Sequence, residues 1–119
     1  MALPSGDWRI NANGFKGILH IAGVDAQGNV TGTLTMSGEP PNQLNNVAYW
    51  DDTSKKINFI RVINAADPST FQIYTGFFFP QDHTQPNGPS ELTGFFEAFN
   101  GTGGTAKRVL YGWVASHAQ

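Results

Sequence analysis

Cysteine is absent from the 119 residues. That excludes disulfides, zinc–thiolate sites and thiol catalysis, and it leaves the compartment open, since a chain without thiols tolerates either redox state. Charge is also scarce, at 13% of residues, about half the usual share for a soluble domain. The net charge is −2 and no run of Lys and Arg occurs, so the electrostatic footprint of nucleic-acid binding is missing. No apolar run reaches the length of a membrane-spanning helix, about 20 residues, and no membrane partner is expected. Met1-Ala2-Leu3-Pro4 is too short and uncharged for a secretory signal. The expectation is a cytosolic protein or the mature part of a secreted one.

What is present excludes disorder. Hydrophobic residues make up 39% and aromatics alone 13%, more than a disordered chain carries. The length suits one domain over residues 1–119. Turn signals recur every ten to fifteen residues and cut the chain into eight segments. These are Gly6–Asn11, Phe15–Ala22, Val30–Ser37, Gln43–Trp50, Lys56–Asn64, Thr70–Phe79, Glu91–Asn100 and Lys107–Ser116. Asn13-Gly14 is a hairpin signal, and the longest link, Pro80 to Pro89, holds three prolines. β-Branched and aromatic residues fill the segments, as strands prefer, and no helix of ordinary length fits between the breaks. Short consecutive links favour a meander, and eight strands close into a barrel without edges. The fold expected is therefore all-β, an eight-stranded antiparallel up-and-down barrel. Glycines recur inside the segments, as in Tyr74-Thr75-Gly76 and Leu92-Thr93-Gly94, where they permit the sharp coiling of a small barrel.

Alternation assigns the faces. Val30, Leu34 and Met36 share the apolar side of the third segment. The sixth is apolar on both sides, with Phe71, Ile73, Phe77 and Phe79 opposite Gln72, Tyr74 and Phe78. So is the eighth, with Val109, Tyr111 and Trp113 against Leu110 and Val114. A barrel wall needs one buried face, so a second apolar face predicts burial in a homo-oligomer, a dimer or tetramer. The surface expected to associate is the outer side of the sixth and eighth segments, drawn from Phe71, Ile73 and Phe77 and from Val109, Tyr111 and Trp113.

In this setting the chain resembles the avidin–streptavidin family. Gly6-Asp7-Trp8 is similar to the family's first-strand Gly-x-Trp. Gly28-Asn29-Val30-Thr31-Gly32-Thr33 is similar to its second hairpin, and Tyr74-Thr75-Gly76 to its sixth-strand Trp-Ser-Gly. Leu110-Tyr111-Gly112 lies on the family's last strand. The resemblance implies the barrel and a small-molecule partner of biotin-like kind. It also implies a loss of polar contacts. The Tyr and Ser that hold the ureido oxygen fall on Leu34 and Met36, neither of which donates a hydrogen bond. The first-strand Asn falls near Ile10, with Asn11 or Asn13 as shifted candidates. The earlier Ser, the Thr and the Trp of the sixth strand fall on Thr70, Gln72 and Tyr74, and the seventh-strand Trp on Phe96. The Trp lent by a neighbouring subunit falls on Ala106, and the eighth-strand Asp on Val114. Missing partners cost a buried ureido group about 1–3 kcal/mol each, so biotin binding should be weak or absent.

Catalytic groupings are scarce. His83 and His117 lack partners at metal-ligand spacing and read as solvated surface residues. His20 shares a strand face with Lys16 and Ile18. Asp51-Asp52 falls where Asp favours turns, and Glu91 and Glu97 point outward with Thr93. No catalytic residue, metal site or cofactor is expected. Arg61 shares a face with Ile57, Phe59 and Ile63. On an interior face it would hold an acidic or carbonyl-bearing ligand, with Gln72 and Tyr74 nearby; at the rim it would reach to water.

The function expected is non-catalytic binding of a small molecule at the open end of the barrel, with Asn11, Leu34, Met36, Arg61, Thr70, Gln72, Tyr74 and Phe96 as candidate contacts. The alternatives are a carbohydrate-binding, lectin-like module using Tyr49, Trp50 and Trp113, and a small barrel enzyme. A surface platform of aromatics would mark the first alternative, and a buried acid–base pair the second.

Overall fold

The computed structural model describes residues 3–44, 47–82, 84, 88–100 and 107–117. His83 and Ala106, singled out above, lie outside them. Among the described residues nine strands run in chain order: β1 (Gly6–Ala12), β2 (Phe15–Val24), β3 (Val30–Met36), β4 (Asn42–Gln43), β5 (Tyr49–Asp51), β6 (Lys56–Arg61), β7 (Gln72–Phe79), β8 (Ser90–Asn100) and β9 (Lys107–His117). All pair antiparallel in one sheet of order β4-β3-β2-β1-β9-β8-β7-β6-β5. Its two ends meet. Trp50 N–H donates to Gly28 O at 2.7 Å and Val30 N–H to Ala48 O at 3.0 Å, around an Asn29–Tyr49 bridge. The sheet thus closes on itself, which satisfies its edges.

The barrel is the one the sequence predicts, with one difference in strand count. The segment Gln43–Trp50 is not a continuous strand. A turn in which Val47 N–H donates to Leu44 O interrupts it, and Leu44 N–H pairs with Gly32 O. Leu44 and Ala48 are buried, so the chain dips inward to fill the core and resumes as β5. The sixth segment also starts later, because Pro68–Thr70 form a short 3-10 turn capped by Asp67.

Alternation holds along the walls. Trp8, Ile10 and Ala12 of β1, Leu19 and Ile21 of β2, Val30, Leu34 and Met36 of β3, and Ile57 and Phe59 of β6 all face inward. The Asn13-Gly14 turn has positive φ at both residues, 51° and 92°, as a two-residue hairpin turn requires. Gly76 serves packing. A Cβ there would lie 2.3 Å from Cζ2 of Trp113, so the missing side chain lets the indole cross the barrel.

One outward face needs correction. On β9 Trp113 is buried and Tyr111 packs on the core, while Leu110 and Val114 are exposed. The outer surface of the last strand is therefore Leu110 and Val114, not Val109, Tyr111 and Trp113. The pleat leaves no choice once Trp113 takes the space over Gly76. Phe77 on β7 and Phe95 on β8 are exposed beside them.

Candidate ligand-binding site

The two ends of the barrel differ. At one, Trp8, Trp50 and Phe78 meet edge to face, with centroids 6.3 and 6.0 Å apart. The N-terminal segment closes this end. Leu3 is buried, Trp8 Nε1–H donates to Pro4 O at 3.1 Å, and His117 Nε2 donates to Ser5 O at 2.9 Å. His117 also lies 4.9 Å from the Trp8 ring. It is a half-buried packing residue rather than the solvated one its position near the C-terminus suggests.

The other end, where the β1–β2, β3–β4 and β6–β7 connections gather, holds a cavity of about 400 Å³. Ala12, Phe15, Lys16, Met36, Ser37, Glu39, Arg61, Ile63, Gln72, Tyr74 and Phe96 line it. One wall is a cross-strand ladder, since Phe59, Tyr74, Phe96 and Tyr111 are paired in register across β6 to β9. Their rings stack at centroid distances of 4.6, 4.8 and 5.3 Å. Trp113 meets Phe59 and Tyr74 edge-on, 5.7 and 5.8 Å away, and its N–H is taken by Thr75 O and Phe95 O. Both faces of Tyr74 and Phe96 are therefore covered, and only ring edges remain for a ligand.

The polar groups gather at one point of the rim. Gln72 Oε1 accepts from the Tyr74 hydroxyl at 3.0 Å and from Arg61 Nη1 at 3.3 Å. Arg61 Nε is buried with no hydrogen-bond partner. Burial pushes the Tyr74 phenol up to about 12, against an opposing pull from the Arg61 charge. The phenol stays protonated at neutral pH and acts as a donor.

Five of the eight candidate contacts line the cavity: Met36, Arg61, Gln72, Tyr74 and Phe96. Three do not. Leu34 is fully buried in the core below. Asn11 lies on the outer face of β1, where its Oδ1 accepts from Gly14 N–H and secures the hairpin. Thr70 exchanges hydrogen bonds with Asn64 and Asp67 and fixes the β6–β7 connection. Sequence reasoning missed Ala12, Phe15, Lys16, Ser37, Glu39 and Ile63. In a meander alternate turns fall at the same end, so the residues flanking Asn13-Gly14 and Gly38 could have been assigned to one rim.

The remaining candidates fall elsewhere. His20 is on the outside, 2.7 Å from Asp7 Oδ1 across the β1–β2 pair. Asp51 shapes its turn by accepting from Thr53 and Ser54, which hold its carboxyl below the usual range. Trp50 and Trp113 are interior, so they form no surface platform. Among the described residues no cluster of His, Asp and Glu could hold a metal ion.

No known family profile matches the sequence, and no curated protein matches it. Two solved structures do match in fold over the full length. A low-affinity mutant of shwanavidin superposes with a TM-score of 0.61 at 15% identity, covering 99% of this chain and 98% of that one. Apo shwanavidin gives 0.61 at 14% identity, covering all of both. The architecture is thus an avidin-like β-barrel, the class that the closed sheet and its open-ended interior define. The particular proteins it resembles are these two forms of shwanavidin.

Proposed function

We propose that the chain is a non-catalytic binding protein that holds one small molecule at the open end of its barrel, and that it binds biotin weakly or not at all. The observation that carries this is the rim itself. A cavity of about 400 Å³ falls in the range of small-ligand sites, about 300–1,000 Å³. Aromatic and aliphatic side chains form about half of its wall, and Arg61, Gln72 and Tyr74 are hydrogen-bonded together on the β6–β7 side. The weakness toward biotin follows from the resemblance. Leu34 and Met36 fall where the family places two ureido partners, and neither side chain donates a hydrogen bond. Val114 faces outward, so the register that set it on the family's last-strand Asp does not hold and Val114 says nothing about the ureido contacts. Native mass spectrometry of the protein purified from its source tests the reading. A retained small-molecule mass is expected, and a protein that stays empty across native preparations contradicts it.

The assembly we propose is a homo-oligomer of two or four copies joined through the outer faces of β7, β8 and β9. Phe77, Phe95, Leu110 and Val114 form neighbouring apolar positions there. Leu110, 60% exposed, is otherwise a costly residue to leave in water, about 1.5–3 kcal/mol. Sedimentation should show an oligomer at micromolar concentration that Leu110→Asp or Phe77→Glu dissociates. A wild-type monomer under those conditions rejects the assembly.

A further inference from the structure

We infer that the open-end cavity takes a small apolar monocarboxylic acid, its carboxylate held at the rim by Arg61 and Gln72 and its apolar body lying inward against Met36 and the edges of Tyr74 and Phe96. The inference rests on the binding reading above and names the ligand class.

The argument is a count of donors and charges. Gln72 Oε1 already accepts two hydrogen bonds, from Tyr74 and from Arg61. The Gln72 amide N–H groups and Arg61 Nε–H therefore remain to donate, and Nε is sealed from water without a partner. A buried donor on a charged group is costly to leave unmade, and a guanidinium has no acceptor of its own with which to reorganise. The cluster lacks an acceptor, and a carboxylate in the cavity supplies one to the Gln72 amide and, once the Arg61 guanidinium turns its Nε–H toward the cavity that the residue lines, to Arg61. Charge narrows the choice. Lys16 and Arg61 line the cavity against the single carboxylate of Glu39, leaving a surplus of one positive charge. No ion pair joins Arg61 to a carboxylate among the described residues. A monoanion neutralises the surplus, whereas a phosphomonoester exceeds it. A carboxylate also matches the planar guanidinium fork, accepting two parallel N–H bonds.

The rest of the cavity sets the body of the ligand. Tyr74 and Phe96 turn edges toward it, because Phe59 and Tyr111 cover their outer faces. Ring edges carry partial positive charge and meet a π-face or a C–H framework edge to face. Met36 supplies a pliable apolar flank. Among the described residues the other polar side chains of the lining, Lys16, Ser37 and Glu39, come from the start of β2 and the β3–β4 connection at the mouth, so a second polar group on the ligand would find its partners there and not beside Met36 and Phe96.

Titration calorimetry with naphthoate and with naphthamide tests the class on the wild-type protein, without any substitution. Naphthoate should bind about tenfold to a hundredfold more tightly than the amide, the difference expected of a charge-assisted hydrogen bond over a neutral one. Arg61→Gln, checked for wild-type circular dichroism, should remove that preference. Arg61→Lys should keep part of it, retaining the charge without the fork. Equal binding of acid and amide overturns the inference while leaving a cavity that binds small molecules. Absence of naphthoate binding, in a protein that retains a different mass from its source, overturns the ligand class alone. Absence of both removes the binding reading with it.

Discussion

The two ends of this barrel use aromatic residues in opposite ways. At the closed end Trp8, Trp50 and Phe78 interlock edge to face and leave no room between them. At the open end Phe59, Tyr74, Phe96 and Tyr111 stack side by side along the wall, and Tyr74 and Phe96 border a cavity of about 400 Å³. A T-shaped cluster fills a volume, while a cross-strand ladder lines a surface. The same residue types thus close one end and keep the other open, and the difference lies in which neighbours the register gives them. The first arrangement fills its end of the barrel; the second leaves a lined cavity at the other.

Substitutions break the comparison in a definite order. Trp8→Ala removes a fully buried indole and its hydrogen bond to Pro4, and should cost about 3–5 kcal/mol in urea unfolding. Phe96→Ala removes a ring from the open end, where one side already borders the cavity, and should cost less. An equal or larger loss at Phe96 would mean that the open end is packed as the closed end is.

The next effect is a pH dependence. The Tyr74 phenol titrates near 12 when folded and near 10 when unfolded. The folded state holds its proton more tightly, so stability is full below about pH 10 and falls as pH rises toward 12. Two units correspond to roughly 2–3 kcal/mol. Tyr74→Phe should flatten that part of the curve, and an unchanged slope in the variant assigns the loss to another group.

The smallest effect is expected at the rim. Arg61→Gln removes one hydrogen bond of 3.3 Å and a buried donor that lacks a partner, while Gln72 keeps its bond from Tyr74. The lost hydrogen bond, about 1 kcal/mol, is offset by relief of the unpaired buried donor, so unfolding free energy should not fall. A loss of several kcal/mol would make Arg61 a structural residue instead of a binding one.

Much of the fold is legible in the sequence because turn chemistry and alternation are local. Asn13-Gly14 and Asp51-Asp52 mark turns between paired strands in the structure, and the inward residues of β1, β2 and β3 follow period two. The break between β4 and β5 is less legible, since nothing local marks Leu44 as the residue that turns inward. The facing of β9 is hidden for a similar reason. Val109, Tyr111 and Trp113 look as fit for the outside as Leu110 and Val114. The choice depends on Gly76, far away in sequence, making room for the indole. At the site, Arg61, Gln72 and Tyr74 come together because β6 and β7 pair Arg61 with Gln72 in register, which strand alternation can anticipate. Asn11 and Thr70 do not reach the cavity, because short polar side chains near turns bond to their own backbone.

The central claim is that this barrel shares its architecture with avidin-like proteins while Leu34 and Met36 offer no hydrogen bond at two positions where the resemblance implies ureido partners. Titration calorimetry with biotin tests it most directly. The polar partners absent at Leu34 and Met36, at about 1–3 kcal/mol each, remove up to a few powers of ten in affinity, and a dissociation constant of about a micromolar or weaker is expected. A nanomolar or tighter constant would contradict the account, because it would require polar partners that Leu34 and Met36 cannot provide.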